Sequence, residues 1–401
     1  MSRIIVHIDL NAFFARCEEI KNPELENKPI AIGKEGRSGI VSTCSYEARK
    51  YGVHSAMPTF KAKELCPQLL VIPSDFRFYS YKSQEFLNFI KRYTHLVEQA
   101  SVDECFADFT EVLKGEKDPI GFFKKLQTDL YNETSLRCSI GVAPTKFLAK
   151  MGSDYQKPLG LTVIRRVDIP KMLYPLPIKD FFGIGKRTLP KMKEMGINTI
   201  GDFAKRINND DKELKEILGK FFETAKEWIN GYGSDEIDTK PFDPKSIGHS
   251  ITLPFDTDDF DIISSYIKML CSEVSERVIQ EGKLGTTIQV VVKDTSFQSH
   301  NKSITLSNPT NSERTLYEQS LFLFEKNFKG MNIRLVGVTL QNLITLKDLN
   351  VQMTLFDYEE HEKESQTKLL INELNRKLTK PMLLRASEVK DNENKWRSWF
   401  I

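Results

Sequence analysis

Residues 3–14 read Arg3-Ile4-Ile5-Val6-His7-Ile8-Asp9-Leu10-Asn11-Ala12-Phe13-Phe14, and residues 97–109 read Val97-Glu98-Gln99-Ala100-Ser101-Val102-Asp103-Glu104-Cys105-Phe106-Ala107-Asp108-Phe109. The first stretch opens on a compact, β-branched run suited to a buried central strand over 3–8, and the run closes on an aspartate. Asn11 to Glu19 then carries Phe13, Phe14 and Cys17 at helical spacing, so strand, turn and helix follow with no long linker. The later half of the second stretch alternates, with Val102 and Glu104 on one face and Asp103 and Cys105 on the other. A carboxylate at the end of an apolar strand is costly unless it is paired or binds a cation. Asp9, Asp103 and Glu104 converging from two strands of one sheet would make an oxygen-only site suited to magnesium. Two such ions about 3.5–4 Å apart can activate an attacking hydroxyl and stabilise a phosphoryl group in transfer. An Asp and an Asp-Glu pair are common, and solvated strand-end acids are the plainer reading when nothing else is considered.

Working outward, 29–32 and 39–43 read as short strands, Tyr46 to Lys50 opens a helix, and 77–97 has helical periodicity through Tyr81, Phe86, Phe89, Ile90 and Tyr93. A helix over 121–131, a strand over 136–142 and a helix from Pro144 follow. The element order is β-α-β-β-α-β, interrupted after the first helix by a segment running to Pro73, which matches a ferredoxin-like core with an inserted subdomain. From Ile178 the chain turns to short basic helices punctuated by glycine; Lys179, Lys186, Arg187, Lys191, Lys193, Lys205 and Arg206 face only Asp180, Glu194 and Asp202 there. Residues 235–244 are acidic and proline-bearing and read as a linker. Two strands (286–292 and 334–340) and two helices (262–280 and 312–328) then predict a small α+β domain.

The chain has 401 residues, enough for two to four domains, and its net charge of +2 excludes nothing by itself. Six cysteines (Cys17, Cys44, Cys66, Cys105, Cys138, Cys271) show no CxxC pair and no histidine cluster, which argues against zinc or a disulfide framework and for buried thiols. No apolar stretch approaches about 18 residues, so no membrane span is expected and the cytoplasm is the expected location.

HIDLNAFFARCEE (7–19), STCSYEARKYGVHSAMP (42–58), SVDECF (101–106) and IGVAPTKFLAKMGSDYQKPLG (140–160) resemble, in order and spacing, the signatures of Y-family DNA polymerases, nearest to the bacterial DNA polymerase IV branch. The resemblance extends to about residue 345. It implies an α+β multidomain, right-hand polymerase: a ferredoxin-like palm over 1–165 with small fingers inserted at about 20–75, and a helix-hairpin-helix thumb over 166–233. A linker at 234–245, an α+β little finger over 246–346 and a tail at 347–401 complete it. The implied activity is template-directed, low-fidelity DNA synthesis from dNTPs that passes template lesions without proofreading, by a monomer acting on primer-template DNA. The resemblance further implies that Asp9, Asp103, the backbone carbonyl of Leu10 and Glu104 hold two Mg2+ ions. Many relatives carry a second acid two residues after the first, where this chain has Asn11.

Thr43, Tyr46, Arg49 and Lys157 match positions that hold the β- and γ-phosphates, a task suited to hydroxyls and a forked guanidinium. Phe14 matches the steric gate that rejects a ribose 2′-hydroxyl, leaving Phe13 to the core. Small residues Ser38, Gly39, Ser42 and Ser45 suggest a roomy cover above the nascent base pair. Phe181 to Lys186 with Met195 to Ile197 reads as a helix-hairpin-helix in which Gly183 and Gly185 let backbone amides approach a DNA phosphate, with Lys186 and Arg187 beside them. Lys293 and Arg334 are candidate phosphate contacts. Gln352, Met353, Leu355 and Phe356 resemble the peptide that docks on a sliding clamp. The rival readings are a polymerase subunit that needs accessory proteins for damage-induced mutagenesis, a nucleotide cyclase on the same palm, and a catalytically silent DNA- and clamp-binding protein.

Overall fold

The computed structural model describes residues 3–345; the candidate clamp peptide and the rest of the tail lie outside them. Two compact units divide at Asp243/Pro244.

In the first unit, β1 (Ile5–Leu10) is buried along its whole length. It pairs on both edges, and its two faces feed two cores: Val6, Ile8 and Leu10 enter one, Ile5 the other. That double burial is why its sequence reads as an unbroken apolar run rather than an alternation. α1 (Phe13–Lys21) follows, then an inserted lobe of β2 (Ile30–Gly33), β3 (Val41–Cys44), α2 (Tyr46–Arg49), α3 (Thr59–Leu65) and β4 (Leu70–Ile72), with sheet order β3-β2-β4. Alternation along β2 sends Ala31 into the lobe's own small-residue core while Ile30 and Ile32 join the larger core beneath.

The chain returns through α4 (Phe76–Lys91), β5 (Val97–Gln99), β6 (Glu104–Asp108), α5 (Pro119–Thr134), β7 (Cys138–Ala143), α6 (Lys146–Tyr155) and β8 (Leu161–Val163). The sheet order β5-β6-β1-β7-β8 is the expected ferredoxin-like arrangement, with β8 added in parallel to β7. The register sets Asp9 opposite Glu104 on one side and Ser139 on the other. The helical pattern expected through Val97 ends at Lys91, and Val97 already belongs to β5.

Beyond β8 lie α7 (Ile169–Met172), α8 (Leu189–Glu194), α9 (Ile200–Asn208), α10 (Lys212–Leu218) and α11 (Phe221–Ile229). α9 starts where the sequence supplies a reciprocal cap, Thr199 accepting from Asp202 N–H and Asp202 from Thr199 N–H. These helices share one core with α6: Phe147 stacks on Trp228 at 4.9 Å and meets Phe181 at 5.0 Å. After Gly233 the chain is tied to the sheet's edge elements, since Ser234 C=O accepts the Lys146 N–H and Glu98 accepts the Asp238 N–H.

The second unit comprises β9 (Ser246–Thr257), α12 (Phe260–Gln280), β10 (Lys283–Asp294), β11 (Ser299–Thr310), α13 (Glu313–Phe328) and β12 (Ile333–Thr345), with antiparallel order β11-β10-β12-β9. The two expected strands are therefore four. β11 is an edge strand, mostly exposed, whose only apolar contributions to the core are Ile304 and Leu306. β9 buries Ile247 and Leu253 but is broken by a register shift opposite Ile333/Leu335, so neither strand shows clean alternation.

All six cysteines are buried and unpaired, and burial pushes the thiols of Cys17, Cys138 and Cys271 up to about 12. Among the described residues no helix is long and apolar enough to cross a membrane.

Candidate functional site

The carboxylates meet at the C-terminal end of β1. Asp9, 6% exposed, faces Glu104 across the strand pair, and Leu10 N–H donates to the Asp103 carbonyl at 2.9 Å. Strict strand alternation would put Asp103 and Glu104 on opposite faces. β6 begins only at Glu104, however, and Asp103 lies in the bend before it, where its carboxylate and its N–H both bond the Ser101 hydroxyl, at 2.6 and 3.2 Å. The alternation expected from the sequence stops one residue short, and Asp103 stays near enough for the Asp9 charge to act on it.

Two lysines from one helix face and the turn after it neutralise the cluster. Lys157 Nζ sits 2.6 Å from Asp9 and 2.8 Å from Asp154. Lys150 Nζ bridges Glu104, Asp9 at 3.3 Å and Asp154 at 3.3 Å. Burial would lift the Asp9 carboxyl, but its hydrogen bond with Glu104 and the Lys157 ammonium hold it below the ordinary range. Burial, and then that shared hydrogen bond, push Glu104 above the ordinary carboxylate range. Burial also lifts Asp103, with Ser101 opposing. Burial pulls both lysines down, yet the surrounding carboxylates outweigh it and raise them. His7 lies under the site, its Nδ1 2.7 Å from Ser153 Oγ and its Nε2 3.8 Å from Glu104. Burial, then the Lys150 charge, lowers its pKa to about 3 and keeps it neutral.

Among the described residues no trio of carboxylate, imidazole or thiol groups forms a ready-made metal cage. Asp103 is turned to Ser101, while Asp9 and Glu104 are turned to the lysines. The donor chemistry nevertheless suits hard divalent cations: the acids are oxygen donors, and positive charge already sits against them as ammonium groups.

Of the candidate phosphate contacts, Tyr46 opens α2 close enough to Lys157 and Asp9 for their charges to act on its hydroxyl, which burial raises. The Arg49 guanidinium lies 4.6 Å over the Tyr46 ring and is exposed, so the pair is presented from one helical turn. Thr43 is on β3, paired with Ile32. Ser45 is no part of an open cover: it is 2% exposed, accepts Ala48 N–H as the cap of α2 and donates to the Lys28 carbonyl.

Phe13 is 2% exposed in the core, and Phe14 is half-buried. Phe14 stacks on Tyr79 with centroids 4.4 Å apart and rings 15° from parallel, and meets Phe76 edge-on at 5.9 Å. Tyr79 is itself anchored by its hydroxyl, which donates to buried Glu18 at 2.7 Å. Tyr79→Phe keeps the stack and removes that donor. It is expected to cost about 1–2 kcal/mol of stability in urea unfolding while leaving sugar selection unchanged.

Gly183 has φ +99°, and a Cβ there would lie 2.5 Å from the Phe221 ring, so this glycine is required by packing. A Cβ at Gly185 would meet nothing within 4 Å, and Lys186 and Arg187 beside it are exposed. Phe181 and Phe182 are not helical; the helices of this motif are α8 and α9, joined through Gly196 at φ +76°. In the second unit, Arg334 is half-buried with its guanidinium 4.7 Å over the Phe297 ring, and Lys293 pairs with Ser299 and Leu335.

Sequence reading missed Lys150, Asp154 and Tyr79. The first two carried a signal: Lys150 and Asp154 are four apart, the spacing of one helical face, and Lys157 follows three residues later. Tyr79 carried none, because only the fold brings α4 against α1.

Residues 8–154 match the model of the impB/mucB/samB family, 244–355 its C-terminal domain and 166–197 the helix-hairpin-helix motif of the same family. The chain is similar to DNA polymerase IV of Bacillus velezensis, 37% identical over 98% of this chain and 95% of that protein. It is also similar in structure to a Y-family DNA polymerase chimera, with TM-score 0.76 and 29% identity over 85% of this chain and 99% of the other. An insertion ternary complex of the Dbh DNA polymerase matches with TM-score 0.56 and 29% identity over 85% of this chain and 99% of that one.

Proposed function

The chain belongs to the impB/mucB/samB family, the Y-family DNA polymerases, and from that premise we propose how its own residues serve the reaction. It is a DNA-directed DNA polymerase of the low-fidelity, translesion type, with the divalent-metal dependence of its family. The observation that carries the residue roles is the facing of Asp9 and Glu104 across β1 and β6, with Asp103 one residue before Glu104 and Lys157 against Asp9.

In this reading Asp9, Asp103, Glu104 and the Leu10 carbonyl hold two Mg2+ ions. When bound, the ions supply charge stabilisation for an attacking oxygen and a departing pyrophosphate. The primer 3′-hydroxyl attacks the α-phosphorus of the dNTP as the bond to pyrophosphate breaks. Lys157, Arg49, Tyr46 and Thr43 bind the β- and γ-phosphates. The stacking of Arg49 on Tyr46 supports this, since it limits the guanidinium's freedom before the nucleotide arrives. Phe14 rejects the ribose hydroxyl. Gly183, Gly185, Lys186 and Arg187, with Lys293 and Arg334, grip duplex phosphates without reading sequence. The domain roles follow: palm over 1–165 with fingers at about 20–75, thumb over 166–233, linker over 234–245, little finger over 246–346, tail beyond. The chain acts as a monomer in the cytoplasm.

Primer extension by the isolated chain on undamaged and abasic templates tests the reading. Extension past the abasic site, with frequent misinsertion, is expected; absolute dependence on added proteins would instead favour a subunit of a mutagenesis complex. Deleting 352–356 is expected to reduce processivity only when a sliding clamp is present. An equal loss without clamp would assign those residues to folding.

A further inference from the structure

Asn11 stands where β1 hands over to α1 and is 4% exposed. Its carboxamide is engaged on both ends. Nδ2 donates to Ser139 Oγ at 2.9 Å and makes a longer, 3.5 Å contact with the Asp9 carbonyl; Oδ1 accepts the Leu159 N–H at 2.8 Å. Ser139, fully buried in β7, accepts the Gly160 N–H at 3.2 Å. Two consecutive backbone amides of one turn are thus held by the Asn11–Ser139 pair.

That turn needs holding. Leu159 has φ +62°, in the left-handed region a β-carbon disfavours, and is 55% exposed, so burial does little to fix it. Gly160 closes against the end of α6, where a Cβ would lie 1.8 Å from the Gln156 carbonyl. Lys157, two residues before Leu159, must leave this turn with its ammonium aimed at Asp9 and Asp154. A carboxamide offers donor and acceptor from one planar group, whereas a carboxylate at this depth would add negative charge two residues from Asp9.

We propose that Asn11 is a positioning residue for nucleotide binding: it sets the 157–160 turn and, through Lys157, the affinity for the incoming triphosphate, without touching the nucleotide. The inference rests on the assignment of Lys157 to the triphosphate.

The test compares Asn11→Ala, Asn11→Asp, Lys157→Ala and the Asn11→Ala/Lys157→Ala double variant. It measures single-nucleotide insertion, binding of a non-hydrolysable dNTP to the polymerase–primer-template complex, and thermal melting. Asn11→Ala should raise KM and the analogue's Kd about tenfold, with kcat within about threefold. Asn11→Asp keeps an acceptor for Leu159 but loses the Nδ2 donation and adds charge beside Asp9, so it should restore the affinity only in part, and Asn11→Ala should add little in the Lys157→Ala background. Should Asn11→Ala melt early, Asn11→Ser, which lacks the reach to Leu159, should show the same split of KM from kcat. An unchanged KM in the Asn11 variants beside a raised KM in Lys157→Ala would overturn the positioning role and leave the triphosphate assignment standing. A lowered kcat at constant KM would overturn it equally. Normal affinity in Lys157→Ala would overturn both.

Discussion

Asp103→Ala is expected to slow primer extension about a thousandfold or more, roughly 4 kcal/mol of transition-state stabilisation. The backbone around the substitution should survive, because the Asp103 carbonyl, not its side chain, accepts the Leu10 N–H that joins the bend to β1. Stability should not fall either. Burial raises the Asp103 pKa above its unfolded value, with the Asp9 charge adding to it, so at neutral pH the ionised group opposes folding; losing it removes that opposition. The informative measurement is single-turnover extension beside a thermal melt of the same preparation. Near-normal extension would remove Asp103 from the reaction, and a collapse of the melt would reduce the result to a folding defect.

Phe14→Ala is expected to raise ribonucleotide insertion relative to deoxynucleotide insertion about 100-fold, the scale of relieving a clash worth roughly 3 kcal/mol. The ring can act as a wall because it is backed: Tyr79 stacks beneath it and Phe76 meets its edge. An unbacked phenylalanine would swing aside. Tyr79 also donates to buried Glu18, a bond that serves stability, while the wall itself rests on the stacked rings. Competitive insertion of ribo- and deoxynucleotides opposite one template base reads the ratio. An unchanged ratio would place sugar selection elsewhere.

The parts of the site legible in the sequence are those set by local pattern. The apolar run ending in Asp9 and the helical spacing of Phe13, Phe14 and Cys17 follow from chain periodicity. The division of Phe13 to the core and Phe14 to the gate rests instead on the family resemblance, and the facing of Glu104 and Asp9 is set by the register of the assembled sheet. Asp103 was legible as a candidate but not in its setting, because Ser101 bends the chain where alternation predicts a strand. The ammonium groups of Lys150 and Lys157 answer a charge problem that appears only once β1, β6 and α6 are assembled. The same distinction separates the strands of the second unit: β10 and β12 bury regular apolar rows, whereas edge strand β11 is specified by backbone pairing with β10 that side-chain pattern does not report.

The sequestered thiols carry a consequence for working conditions. Peroxide reacts with the thiolate, and only where it can reach it. With all six sulfur atoms enclosed, and burial holding those of Cys17, Cys138 and Cys271 protonated until far above neutrality, the native thiols are expected to react with peroxide far more slowly than those of the unfolded chain.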